Sequence, residues 1–272
     1  MELTDKELEE RREGVQAFRV LFCIDGSEES YQALQYSATM VHPLEADIVL
    51  LYVRPIDHGL RTGGLQISVA RQKMLDWGLE LPGIRYLKKA RDKLIEWGEM
   101  ADDWDYHQAH ADVAGDPLGN NSVEYITKSG REVVLELKVS AGIALGILEK
   151  AEESQFDLIV LGASERWQST NFNPFRDPAV AEKVAVHSPC SVLIARALRR
   201  TGHGHLVCTD GSERSEILVN KEALLAKKSN FPLSILSVAR DEGEVIVAQE
   251  AVSRAEAIIK DLGVKIENTY TP

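Results

Sequence analysis

The chain has 272 residues, 44% of them apolar and 27% charged, and carries a formal net charge of −12. That length holds one large domain or two modest ones, and the acidic balance argues against a broad nucleic-acid surface. No apolar run approaches the ~20 residues of a membrane helix, and the opening MELTDKELEERREG lacks a signal-peptide core, so a cytoplasmic protein without membrane contact is expected. Cys23, Cys190 and Cys208 form no CxxC or Cys/His cluster and read as reduced core thiols.

Residues 1–17 read as a charged lead-in, mobile or helical. Arg19 to Ile24 (RVLFCI) is a buried strand, closed by Asp25-Gly26-Ser27. A helix then runs to Val41, with Tyr31, Leu34, Ala38 and Val41 on one face, and Pro43 stops it. Asp47 to Val53 (DIVLLYV) is the second strand. Residues 54–85 contain several prolines and glycines and read as a long excursion, with room for a helix over Ser68 to Leu79. Tyr86 to Met100 is helical, with Leu87, Ala90, Leu94 and Trp97 on one stripe.

Between residues 99 and 121 six acids (Glu99, Asp102, Asp103, Asp105, Asp112, Asp116) stand without a single Lys or Arg, with His107 and His110 among them. An HxxH near carboxylates is a metal-binding pattern, but nothing else in the segment fixes four ligands. A solvated acidic loop is the expectation. A helix is expected to resume over Ser122 to Ser129. Arg131 to Val139 is a third strand, and Gly142 to Ser154 a helix with Ile143, Ile147, Leu148 and Ala151 inward. Asp157 to Leu161 (DLIVL) and Ser191 to Ala195 are the fourth and fifth strands, joined through a helix over Ala179 to His187. Continuous apolar strands alternating with helices predict an α/β fold with a parallel sheet. The loop after Gly162 then lies at the carboxyl end of its strand, where open α/β sheets bind ligands.

VLFCIDGSEES (Val20 to Ser30) returns as HLVCTDGSERS (His205 to Ser215), with Cys23 and Cys208, and Asp25 and Asp210, each 185 residues apart. The same offset pairs Val53 with Val238. Two anchors at one offset predict a tandem duplication. The second copy continues with a helix over Glu244 to Leu262 and a strand over Val264 to Asn268, so that it is about half a domain with an unpaired edge.

The strand–DGS–helix opening, DLIVLG and AEKVAVHSPCSVLIAR together resemble the universal stress protein family. The resemblance covers 18–198, apart from insertions at 54–85 and 100–121, and recurs incompletely over 205–272. It implies an open parallel five-stranded sheet of order 3-2-1-4-5 with helices on both faces. It also implies pairing through the last strand, as a homodimer or between repeats within one chain. Many members bind ATP through a glycine, two residues, a glycine, nine residues, then glycine with Ser or Thr. Here Gly162 matches the first glycine, but Glu165 replaces the second and Pro178-Ala179 the final pair. Proline removes an N–H donor and alanine a hydroxyl. The resemblance places Asp25 and Val53 against the base and Leu161 and Val180 along the pocket, while Arg166 and Arg176 are candidate replacement charges for phosphate. Asp25 has a second reading as a turn or cap residue. Asp210 is expected to be structural, since its copy has no phosphate loop. No acid, base or nucleophile constellation is evident, and Ser164 has no obvious His partner. The expectation is therefore a non-catalytic stress-response protein acting through dimerisation and protein contacts. The alternative is an adenine-nucleotide sensor holding ATP or AMP at Asp25, Val53 and the 162–180 loop.

Overall fold

The computed structural model describes residues 2–12, 17–56, 82–114, 116–163, 178–196 and 204–272. The chain divides into two compact units, Met1–Leu198 and Arg199–Pro272. The first contains α1 (Asp5–Arg12), β1 (Arg19–Cys23), α2 (Glu28–Val41), β2 (Asp47–Pro55), α3 (Pro82–Glu96), β3 (Asp105–Val113), β4 (Asp116–Ile126), β5 (Glu132–Ser140), α4 (Ile143–Glu153), β6 (Leu158–Ala163), α5 (Pro178–His187) and β7 (Ser191–Arg196). The helix expected over 68–79 lies outside the described residues.

The sheet has seven strands in the order β3-β4-β5-β2-β1-β6-β7, not the five expected. Strands β5, β2, β1, β6 and β7 are mutually parallel. The two further strands form an antiparallel hairpin on the outer edge of β5. This overturns two expectations: the acidic segment is a strand pair rather than a loop, and residues 122–126 belong to β4 rather than to a helix. The physical reason is alternation. Val123 and Tyr125 pack against the main core, whereas Ser122 and Glu124 do not and Ile126 buries in a separate cluster with Leu3 and Leu8, which is a period of two. On β3 the acids and most neighbours face water, as an outermost strand requires if it is not to recruit other chains. His107 and His110 are three residues apart on a strand and so project from opposite faces. His107 pairs with Asp5 at 2.8 Å, and His110 with Asn121 at 3.0 Å. Among the described residues no group of three or more His, Cys, Asp or Glu side chains is arranged to hold a metal.

The lead-in is tied to this hairpin. Leu3 donates its N–H to the Tyr106 carbonyl at 2.7 Å, and Leu3 and Leu8 bury against Ile126. At the other end of the hairpin Asp116, wholly buried, accepts from the Arg54 guanidinium at the end of β2. The hairpin is thereby fixed at both ends, in the plane of the sheet, with β5, β2 and β1 between it and β6.

Two apolar layers enclose the sheet. Phe22, Ile48, Leu50, Leu135 and Leu137 meet Tyr31, Leu34 and Ala38 of α2 and Leu87, Ala90 and Leu94 of α3. On the opposite face Leu21, Val49, Leu51, Val53, Ile159 and Leu161 meet Ile147 and Ala151 of α4 and Val184 of α5. Burial at the start of β2 lifts the Asp47 carboxyl above its ordinary value, against the opposing pull of the Glu132 N–H that it accepts. The raised folded value means that ionised Asp47 disfavours folding. This penalty is absent below the free-carboxylate value of about 3.9 and complete above the folded one. A carbon-13 titration of Asp47 is expected to give a midpoint above that of free Asp; one at or below it would contradict the burial argument.

The second unit contains β8 (His205–Cys208), α6 (Glu213–Ser229), β9 (Leu233–Leu236), α7 (Val245–Asp261) and β10 (Ile266–Tyr270). Its parallel sheet runs β10-β9-β8. Val207, Leu233 and Ile235 pack beneath Val219, Ala223 and Ala226 of α6 and Val252, Ala255 and Ile259 of α7. Both helices therefore lie on one face of this sheet.

Candidate functional site

At the carboxyl ends of β1, β2 and β6 the structure brings together five of the six predicted pocket residues: Asp25, Val53, Leu161, Gly162 and Val180. Arg166, and with it Arg176, lies outside the described residues. Cys23, Ile24, Ser30, Leu51, Ile143 and Ile147 complete the lining. The space between these residues is about 40 Å³, smaller than the roughly 300–1,000 Å³ that small-molecule sites ordinarily offer.

Two close approaches explain why it is small. A Cβ on Gly162 would lie 2.7 Å from the Glu29 carbonyl oxygen and 2.8 Å from the Ser30 Cα, so the first turn of α2 rests directly on β6. A Cβ on Gly146 would lie 2.6 Å from a Val53 methyl and 2.9 Å from the Ser140 Cβ, so α4 is drawn down onto β2 and β5. Ile143 and Ile147 on that helix then fill the volume over Val53. The glycines serve helix–sheet contact, a use distinct from letting phosphate reach the main chain.

Asp25 is engaged locally. Its Oδ1 accepts from the Ser27 N–H at 2.9 Å and from the Ser27 hydroxyl at 2.5 Å. Ser27 in turn caps α2, its Oγ accepting from the Ser30 N–H. The second unit repeats the device: Asp210 Oδ1 accepts from the Ser212 N–H at 2.9 Å, and Ser212 caps α6. Hydrogen bonds from Ser212 hold the Asp210 carboxyl down to about 2. Gly26 and Gly211 occupy the left-handed region at φ 82° and 75°, as the turn requires. The turn by itself thus accounts for the aspartate, in agreement with the structural reading of Asp210.

Burial, with Asp25 nearby, pushes the Cys23 thiol far above its usual value, which removes it as a nucleophile at neutral pH. Trp97 and Trp104 pack partly buried against the α2–α3 core and stack on no part of this pocket; Trp77 and Trp167 lie outside the described residues. A larger cavity, about 980 Å³, opens at the amino-terminal ends of the strands. Asp47, Glu124, Glu132, Glu136, Glu152 and Asp157 outnumber Arg19 and Lys150 in its lining, a balance that repels polyphosphate. Of the lining residues that sequence reasoning left out, Ile143 and Ile147 come from α4, which Gly146 lets approach the sheet. A glycine within the helix was their signal, since it costs about 1 kcal/mol unless close packing uses it.

A mostly parallel sheet with helices on both faces and a cleft at the strand ends defines an open α/β protein. The family model for the universal stress protein family matches residues 17–196, and the chain belongs to that family. Among solved structures, a putative universal stress protein from Pseudomonas aeruginosa is similar at 13% identity and TM-score 0.52, over 94% of this chain and 75% of that one. One from Archaeoglobus fulgidus is similar at 16% identity and TM-score 0.50, over 95% and 80%. A universal stress protein in complex with cAMP matches at 14% identity and TM-score 0.38, over 68% of this chain and 100% of that one. No curated protein matches the chain.

Proposed function

We propose that this protein is a non-catalytic, cytoplasmic universal stress protein that acts in stress response through protein contacts, without holding a nucleotide. The observation that carries this reading is the small space, about 40 Å³, between Asp25, Val53, Ile143, Ile147 and Val180. The broken glycine signature (Glu165, Pro178, Ala179) and the local engagement of Asp25 support it. Dimerisation through β7 belongs to the same reading: among the described residues it is an edge strand of the sheet, and Ile194 on it is exposed. The second reading, an adenine-nucleotide sensor, draws on the convergence of the five predicted residues.

Calorimetric titration with Mg-ATP, ADP and AMP separates the two. No binding heat and no thermal stabilisation are expected, for the wild type or for Asp25→Ala. Micromolar binding that Asp25→Ala abolishes would overturn the proposal and install the sensor reading.

A further inference from the structure

The lead-in is seated on the hairpin by contacts that stand apart from the core of the sheet. Leu3 and Leu8 are buried, while residues 4–7 between them are exposed. The two leucines and Ile126 form a cluster distinct from the one that holds α2 and α3 on the sheet. The backbone joins β3 through an isolated parallel bridge at Tyr106 rather than a continued ladder. Asp5, 89% exposed, gives its carboxylate to His107 Nε2. Thr4 donates its N–H and its hydroxyl to the Glu7 carboxylate at 2.8 and 2.6 Å, bonds that stay with the segment if it moves. The helix α1 (DKELEERR) has eight residues and Leu8 as its one apolar side chain, a length at which an isolated helix is marginal in water. A segment attached in this way can leave without opening the sheet.

Its departure would vacate a seat with three demands. Ile126 is wholly buried against the leucines. The Tyr106 carbonyl accepts from Leu3 on β3, which is an edge strand among the described residues. His107 is mostly buried, and its Nδ1 has no hydrogen-bond partner among the described residues, so Nε2 is the nitrogen turned to an occupant. In recognition at a strand edge the main chain supplies affinity and the side-chain notches supply specificity. The lead-in itself spells that specificity: a leucine, an acid two residues on, and a second leucine three further, as Leu3, Asp5 and Leu8.

We infer that residues 2–12 are a releasable cover over a docking seat at the edge of β3, and that the seat takes a partner polypeptide with the same Leu-x-Asp-x-x-Leu spacing. The seat lies at the opposite edge of the sheet from β7, and none of its residues lines the Asp25 pocket. The inference rests on the reading that the protein acts through protein contacts and gives those contacts a place. Nucleotide titration decides that reading, and the experiment below decides this one, so their failures are distinguishable.

The probe is a fluorescein-labelled peptide of residues 1–14, which carries the spacing. Anisotropy measures its binding to two full-length chains, the wild type and Leu3→Ser/Leu8→Ser, whose own lead-in is unseated. The peptide is expected to bind the double variant at least about tenfold more tightly, the ratio that follows when the cover leaves the seat open for less than about a tenth of the time. A peptide carrying the same two serines is expected not to bind, and His107→Ala added to the double variant is expected to weaken binding about threefold. Hydrogen exchange on the wild type needs no substitution: the Leu3 N–H is expected to exchange at least about 100-fold faster than the amides of β1 and β2. No binding to the double variant, equal binding to both chains, binding of the serine peptide, or a Leu3 amide as slow as those of β1 would each overturn the inference. So would concentration-dependent association of the wild type that the serine changes abolish, since it would give the seat to the lead-in of a second copy.

Discussion

Asp116→Ala lowers the stability of the first unit by about 3 kcal/mol, the expected cost of stranding a charge whose partner has been removed from a poorly solvated site. Asp116 has no exposed side-chain surface and Arg54 has 18%, so the guanidinium keeps little access to water once the carboxylate is gone. The figure sits at the low end of the range for buried pairs because that residual exposure screens part of the loss. Urea unfolding followed by circular dichroism measures it, as a shift in midpoint at unchanged slope. Asp116→Asn, which retains an oxygen for Arg54, should cost clearly less. A loss under about 1 kcal/mol for the alanine variant would mean that Arg54 is solvated in practice, and that the hairpin is held by strand pairing and by the lead-in alone.

Gly162→Ala is expected to destabilise the same unit by about 2 kcal/mol, within the range for overpacking a close contact. The added methyl would collide with main-chain atoms of Glu29 and Ser30, which cannot rotate away as a side chain can. If Gly162 instead serves a phosphate, the alanine variant would fold with near wild-type stability and lose only ligand. Urea midpoints together with calorimetric titration of both proteins distinguish these outcomes. A variant with unchanged midpoint would remove the packing explanation for the small pocket.

The parallel strands were legible because burial on both faces leaves an unbroken apolar run, as in LFCI, DIVLLYV and DLIVL. The hairpin was not. Its outer strand faces water with most of its length, and its acids mask the pleat; its inner strand alternates too weakly around Val123 and Tyr125 to exclude a helix. The grouping of Asp25, Val53, Leu161, Gly162 and Val180 was implied by the family resemblance, and the structure does gather them. The closure of the space between them was hidden, because it depends on how near α4 and α2 approach the sheet. That distance is set by two glycines, of which Gly162 stands in a sequence context that also fits a ligand loop.

The Asp-Gly-Ser corner stands twice in this chain with nearly the same geometry, and in both places its hydrogen bonds close within a few residues. Such a corner is indifferent to cargo: whatever the neighbouring cleft holds, its own hydrogen bonds stay satisfied, so the motif by itself carries no information about a ligand.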